Sequence, residues 1–423
     1  MVMPGTPLAM SPSMTLQQAL ALVLVATSIG CAAAPPSPPP TTVPAPAAPA
    51  PKPSPLDPQV LERILSRAEE SLSDALVIQH DGALVGSWTF GKPEGPIEAM
   101  SVTKTVVSLA VGAALRTGAI PSLDVPAHRY FPEWRRGPHA AITLRHLLDN
   151  TSGLQANRTT EAIYASGDFV RFALEAEVVE PPGTRFRYNN KAYNLVPAIL
   201  ERATGEPIDR FLSRTVLAPL GVAPITWSRD PAGHCQGMAG LQIRPVDLAK
   251  LGQLMLDGGV HDGERLLDAT WVAESTKPGP VTREYSLGWW LLADREIVLD
   301  APLFAEWRSQ GVDEELIDLV APMKDRPFQK RAFFAELERR LAGHGGLERW
   351  HATTWKQGRR DGHVRTLEPR GYAGDGYLGQ HLLVLPEERL VVVRMRRWSE
   401  GTEGVSDYDF VDLRDLAKQL LRR

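Results

Sequence analysis

The stretch IEAMSVTKTVVSLAVGAALRTG (97–118) sets a hydroxyl and an amine at the start of an apolar, helix-period segment. Ser101 and Lys104 stand three residues apart, a spacing that puts both on one helix face. The Lys104 amine can therefore reach the Ser101 oxygen. A serine hydroxyl is a weak nucleophile until a base takes its proton, and a lysine stripped of water can be that base. The N-terminus of the helix adds a positive dipole end and free N–H groups, which suit a developing oxyanion. The same residues also fit a helix-capping serine with a solvated lysine one turn on. This is the chain's only Ser-x-x-Lys, and its meaning depends on its partners.

The first partner lies in EPPGTRFRYNNKAYNLVPAILERATG (180–205). Tyr188 and Asn190, two residues apart on a loop entering a helix, can point into one cleft. A phenol there can shuttle protons between nucleophile and leaving group. The Asn190 amide can hold a substrate carbonyl and the lysine together. The alternative is a loop tyrosine packed on its neighbours beside a helix-capping asparagine.

Ser101–Lys104 followed by Tyr188–Asn190 resembles the penicillin-recognising serine hydrolases. The branch is that of class C β-lactamases, D-alanyl-D-alanine carboxypeptidases, esterases and 6-aminohexanoate-dimer hydrolases. Further phrases resemble that family in the same order: GAIPSLDVPAHRYFPEW (118–134), ITLRHLLDNTSGL (142–154), GMAGLQIRPVDLAKLGQLMLDGGVHDGERLL (237–267) and YSLGWW (285–290). The resemblance runs over residues 60–294 and 371–422. It implies an α+β, β-lactamase/transpeptidase-like fold, with an antiparallel sheet flanked by helices and a mainly helical region. It also implies an acyl-enzyme on Ser101, with Lys104 as general base and Tyr188 as proton relay.

The family's third motif is altered. GYAGDGYLGQHLLVLPEERLVVVRMRRW (371–398) reads as two β-rich runs around the turn Pro386-Glu-Glu-Arg. Counting back from Gly379-Gln380 puts Gly374-Asp375-Gly376 in the motif position, resembling the Ala-Ser-Gly of esterase and amide-hydrolase relatives. Gly376 would let the strand approach an acyl group, and the N–H groups of Tyr377 and Ser101 would form an oxyanion hole. The usual cation for a substrate carboxylate is missing, and Asp375 would repel one unless Arg359, Arg360 or Arg365 reaches the cleft. His344-Gly345-Gly346 competes for the motif, but no hairpin follows it directly.

The 423 residues carry a net charge of −4, with no overall basic bias towards nucleic acid. RMRR (394–397) reads as a solvated face. No Cys/His cluster has metal-site spacing and no phosphate loop follows a strand, so neither metal nor cofactor is expected. LQQALALVLVATSIG ends at Cys31 and looks like a bacterial lipoprotein signal. This predicts a signal segment at 1–31, lipidation of Cys31, a Pro/Ala-rich tether at 32–58 and a membrane partner through the lipid anchor. The expected place is the bacterial cell envelope, on the periplasmic side, or outside the cell if Cys31 is unmodified.

The hydrolase domain is expected over 59–422. Residues 74–90 read as an opening hairpin around His-Asp-Gly. A helical insertion is expected at 295–370, equally suited to a lid, a peripheral bundle or a partner surface. The chain reads as a serine hydrolase of small-molecule amides or esters, or of peptides. The alternatives are a β-lactamase or D-Ala-D-Ala carboxypeptidase, or a non-catalytic envelope ligand-binding or sensor protein. Oligomeric state is not legible.

Overall fold

A computed structural model describes residues 56–399, 410 and 412–421. The expected signal segment, Cys31 and most of the tether lie outside these residues.

The chain enters through helix α1 (Pro58–Glu70), which Asp57 caps by accepting from the Gln59 and Val60 amides. Strands β1 (Ala75–His80) and β2 (Ala83–Trp88) follow as the expected hairpin. Its turn residues Asp81 and Gly82 have φ of 51° and 79°, the paired left-handed geometry that matches strand twist. Helix α2 (Thr103–Arg116) begins just after Ser101 and is buried on every side from Thr103 to Ala114. A helix apolar all round belongs in the centre of a protein. α2 packs between the sheet and a helical region that includes the helices Leu195–Thr204 and Ile208–Leu212.

Helix α3 (Pro245–Leu256) returns the chain to the sheet. Strands β3 (Tyr285–Ser286) and β4 (Trp289–Leu291) close that region. Strands β5 (Tyr372–Gly376), β6 (Gln380–Leu385) and β7 (Leu390–Met395), then helix α4 (Leu413–Gln419), complete the fold. The seven-stranded sheet has the order β2-β1-β7-β6-β5-β4-β3, and every pairing is antiparallel.

Strand side chains alternate between faces, and the two faces meet different cores. Val77, Leu382, Val384, Val391 and Val393 join the large core around α2 and α3. Ile78, Ala373, Leu383 and Val392 join a second core with Ile64 of α1 and Leu416 of α4.

RMRR is not a solvated face. Arg394 and Arg396 are each only 2% exposed: Arg394 stands on β7, an interior strand covered on both sides, and Arg396 follows directly after its end. Arg394 donates to the carbonyls of Leu378 and Gly379, to the Ser73 hydroxyl and to the Ser71 carbonyl. It thereby holds the turn that follows β5.

The segment 295–366 has its own core. The helices Ala301–Ser309, Glu314–Val320 and Lys330–Leu341 lie where helix-period runs stand at 304–320 and 327–343, and Gly346–Thr353 adds another. A three-stranded sheet joins them, with Arg295–Val298 between Pro327–Gln329 and His363–Thr366. These strands are three or four residues long, too short for alternation to show in the sequence. Trp307, Phe333 and Trp350 are fully buried within this unit.

Candidate active site

Ser101 sits in a single 3₁₀ turn (Met100–Val102) that runs directly into α2. Met100 before it has φ 48°, a left-handed conformation that is uncommon outside glycine. The Ser101 side chain does not cap the helix, since no side-chain cap bond is made at either helix start. Instead the Lys104 amine donates to Ser101 Oγ at 3.0 Å and to the Met238 carbonyl at 2.8 Å.

Lys104 is 1% exposed, and among the described residues no carboxylate forms an ion pair with it. Burial alone therefore pushes its pKa well below the ordinary lysine value. Met238 is itself anchored, because Asn194 Oδ1 accepts from the Gly237 and Met238 amides at 2.8 and 3.1 Å. Asn194 thus positions the carbonyl that positions the lysine.

The Tyr188 ring lies 4.9 Å from Lys104 Nζ and stacks on Trp290 at 5.9 Å. Burial pushes the Tyr188 phenol up to about 12; the Ser101 hydroxyl opposes the rise and Asp375 adds to it. The phenol is therefore a proton donor through the neutral range. Asn190 does not bond to Lys104: it opens the helix Asn190–Tyr193, and its Oδ1 is buried without a hydrogen-bond partner. The capping role falls to Asn189, whose Oδ1 accepts from the Ala192 amide.

β5 forms the opposite wall. A methyl placed on Gly376 would fall 3.0 Å from the Ser101 nitrogen and 2.9 Å from the Ala99 carbonyl oxygen. A methyl on Gly374 would fall 2.8 Å from Thr105 Oγ1. Only glycine lets the strand lie this close to the serine turn. β4 pairs with Tyr372 and Ala373 and stops short of Gly374–Gly376. His344 is remote from this arrangement, bonded to Glu315 within the 295–366 unit.

A model of the beta-lactamase family matches residues 61–415. The chain belongs to that family. It is 32% identical over 142 residues to esterase EstB of Burkholderia gladioli, covering 29% of this chain and 36% of that protein. It is 28% identical over 228 residues to the 6-aminohexanoate-dimer hydrolase of Paenarthrobacter ureafaciens, covering 49% and 57%. Both matches span less than two thirds of the relative's own length. Among solved structures, the penicillin-binding protein homologue from Pyrococcus abyssi shares the fold, with TM-score 0.53 and 17% identity over 86% of this chain and 78% of that one.

In this beta-lactamase family member, Ser101, Tyr188, Gly376 and Tyr377 line one cavity of about 560 Å³. Asp375 lines it too, but is not a bare anion: its Oδ1 lies 2.8 Å from Nδ1 of His381, its cross-strand neighbour on β6. The arginine on the cavity is Arg414 of α4. Arg359 instead bonds the Thr353 and Gln310 carbonyls, Arg365 pairs with Glu296, and Arg360 is not among the lining residues. Sequence reasoning missed Asn194, His381, Arg394 and Arg414. His381 alone left a usable trace, since a His five residues after Gly376 lands opposite Asp375 once the hairpin register is drawn.

Proposed function

We propose that the protein hydrolyses an ester or amide of a small molecule or peptide through an acyl-enzyme on Ser101. The observation that carries this is a buried lysine amine 3.0 Å from the Ser101 oxygen, with no carboxylate partner among the described residues. Lys104, whose burial favours the neutral amine, takes the hydroxyl proton as Oγ attacks the carbonyl carbon. Negative charge then collects on the carbonyl oxygen, and the amides of Ser101 and Tyr377 serve as its donors. Tyr188 gives its proton to the departing alcohol or amine and recovers one from Lys104. A water then repeats the sequence in reverse and frees the acid.

The printed names of two relatives, an esterase and an amide hydrolase, support the same reading. A panel of chromogenic esters, aminoacyl amides and a cephalosporin tests it. Turnover should appear with an ester or amide and vanish in Ser101→Ala. A cephalosporin turned over faster than every ester and amide would make the enzyme a β-lactamase instead. The reading includes an address: lipidated Cys31 and its Pro/Ala-rich tether hold the domain at an envelope membrane. Mass spectrometry of the N-terminal peptide decides this, an unmodified Cys31 being the contrary result.

A further inference from the structure

The cavity continues well past the serine. Beyond Gly376 it follows the face of β5 and β6 that α1 and α4 cover. Asp375 and His381 come first, and the Trp290–Ala373–Leu383 row lies two strand positions further. Leu292, whose amide donates to Gly371, lies two positions beyond that. Phe410 and Leu413 line the cavity from the α4 side.

Arg414 marks the far end, donating to the carbonyls of Leu292 and Ala293 and to Asp294. At about 3.3 Å per strand residue, the four positions from Asp375 to Gly371 span about 13 Å. The walls between are apolar. The two ends differ in charge: the serine end holds Asp375 paired with His381. At the far end, among the described residues, two cations, Arg414 and Lys418, share the one carboxylate of Asp294. Arg414 keeps 24% of its side chain exposed.

We infer that the substrates are esters or amides with an extended aliphatic segment that lies beneath α4 and ends in a carboxylate set against Arg414. This rests on the hydrolase reading above and adds the substrate class. A carboxylate next to the scissile bond meets Asp375, whereas a carboxylate at the other end of the chain meets Arg414. The site therefore selects by where the anion stands, not only by whether there is one.

Two measurements on the full-length protein test this. The first compares kcat/KM for the p-nitrophenyl esters of acetate, octanoate and the eight-carbon chain ending in a carboxylate. The expected order is acetate lowest and carboxylated chain highest. The carboxylated chain should exceed octanoate by at least about tenfold, the smallest effect of a charge-assisted hydrogen bond. Arg414→Gln should collapse the ratio between the last two, and Leu383→Trp, which fills the cavity midway, should erase the advantage of length.

The second measurement is calorimetric binding to Ser101→Ala of octanamide and its carboxylate-ended counterpart, with the same preference expected. Equal values for neutral and carboxylated chains, or a preference for an ammonium-ended chain, overturn the inference. If a fluorophosphonate labels Ser101 but neither amide binds, the inference fails and the hydrolase reading stands. Binding with the expected preference but no labelling supports the carboxylate-ended ligand class and overturns the hydrolase reading.

Discussion

The surroundings of Ser101 and the segment 295–366 are both well-packed interiors, yet they are assembled in opposite ways. In the segment, Trp307, Phe333 and Trp350 close a core drawn from residues 297–350 alone. Around the serine, the contacts that anchor the helix and its lysine to the rest of the fold reach far along the chain. Lys104 meets a carbonyl 134 residues away, and the Thr105 hydroxyl donates to one 183 residues away. Among the described residues, none from 295–366 lines the cavity. Self-contained packing leaves the segment free to change without moving the chemistry. The serine site has no such freedom, because its parts must be held together by the whole fold.

The largest effect should come from the site itself. Ser101→Ala and Lys104→Ala are each expected to lose about 10⁴-fold or more in kcat/KM, as residues acting as one unit do. Steady-state turnover with any accepted ester checks it, and a loss of a few-fold would dissolve the contrast.

Trp350→Ala probes the other region. Removing a fully buried tryptophan should cost about 3–5 kcal/mol in denaturant unfolding. Activity per folded molecule should stay within about twofold, since distant sites act independently. A large fall in kcat/KM with stability intact would show that the segment reaches the substrate.

Gly376→Val returns to the site with a smaller displacement. Its side chain would press on the Ala99 oxygen and the Ser101 nitrogen, and a shift of about an ångström costs about a hundredfold in rate. The loss should appear in kcat, with a melting curve that remains cooperative.

The smallest effect concerns Asp149, which accepts from the Leu287 amide at 2.7 Å. Burial raises its carboxyl pKa to about 6; the Leu287 amide and Arg145 oppose the shift, and Glu274 adds to it. A raised folded-state value means its contribution is fully present below about pH 4 and is lost as pH rises through 6. Asp149→Asn should therefore gain about 2 kcal/mol at pH 7 and match the wild type at pH 4. Equal stability at both pH values would contradict the assignment.

What the sequence shows and what it hides follow the same contrast. Ser101 and Lys104 are legible because one helical turn joins them. The hairpin β1–β2 is legible because Asp81-Gly82 is a turn signal between alternating runs. The Asp375–His381 pair depends on the register of β5 against β6. Arg414 reaches the cavity only because α4 folds back over the sheet. RMRR misleads because a charged run resembles a surface until both faces of β7 are seen to be covered. Asn190 misleads in another way: its position beside Tyr188 is right, but the short helix it opens makes no bond from its side chain to Lys104. The small sheet within 295–366 leaves no periodic trace.

The central claim is that Ser101 is the nucleophile and buried Lys104 its base. Intact-protein mass spectrometry after treatment with a fluorophosphonate, across pH, tests both parts at once. The account predicts one adduct, on Ser101, formed at a rate that rises with pH through a midpoint well below that of an ordinary lysine and slowed severely in Lys104→Ala. An adduct on another residue, or the same labelling rate with and without Lys104, would contradict it.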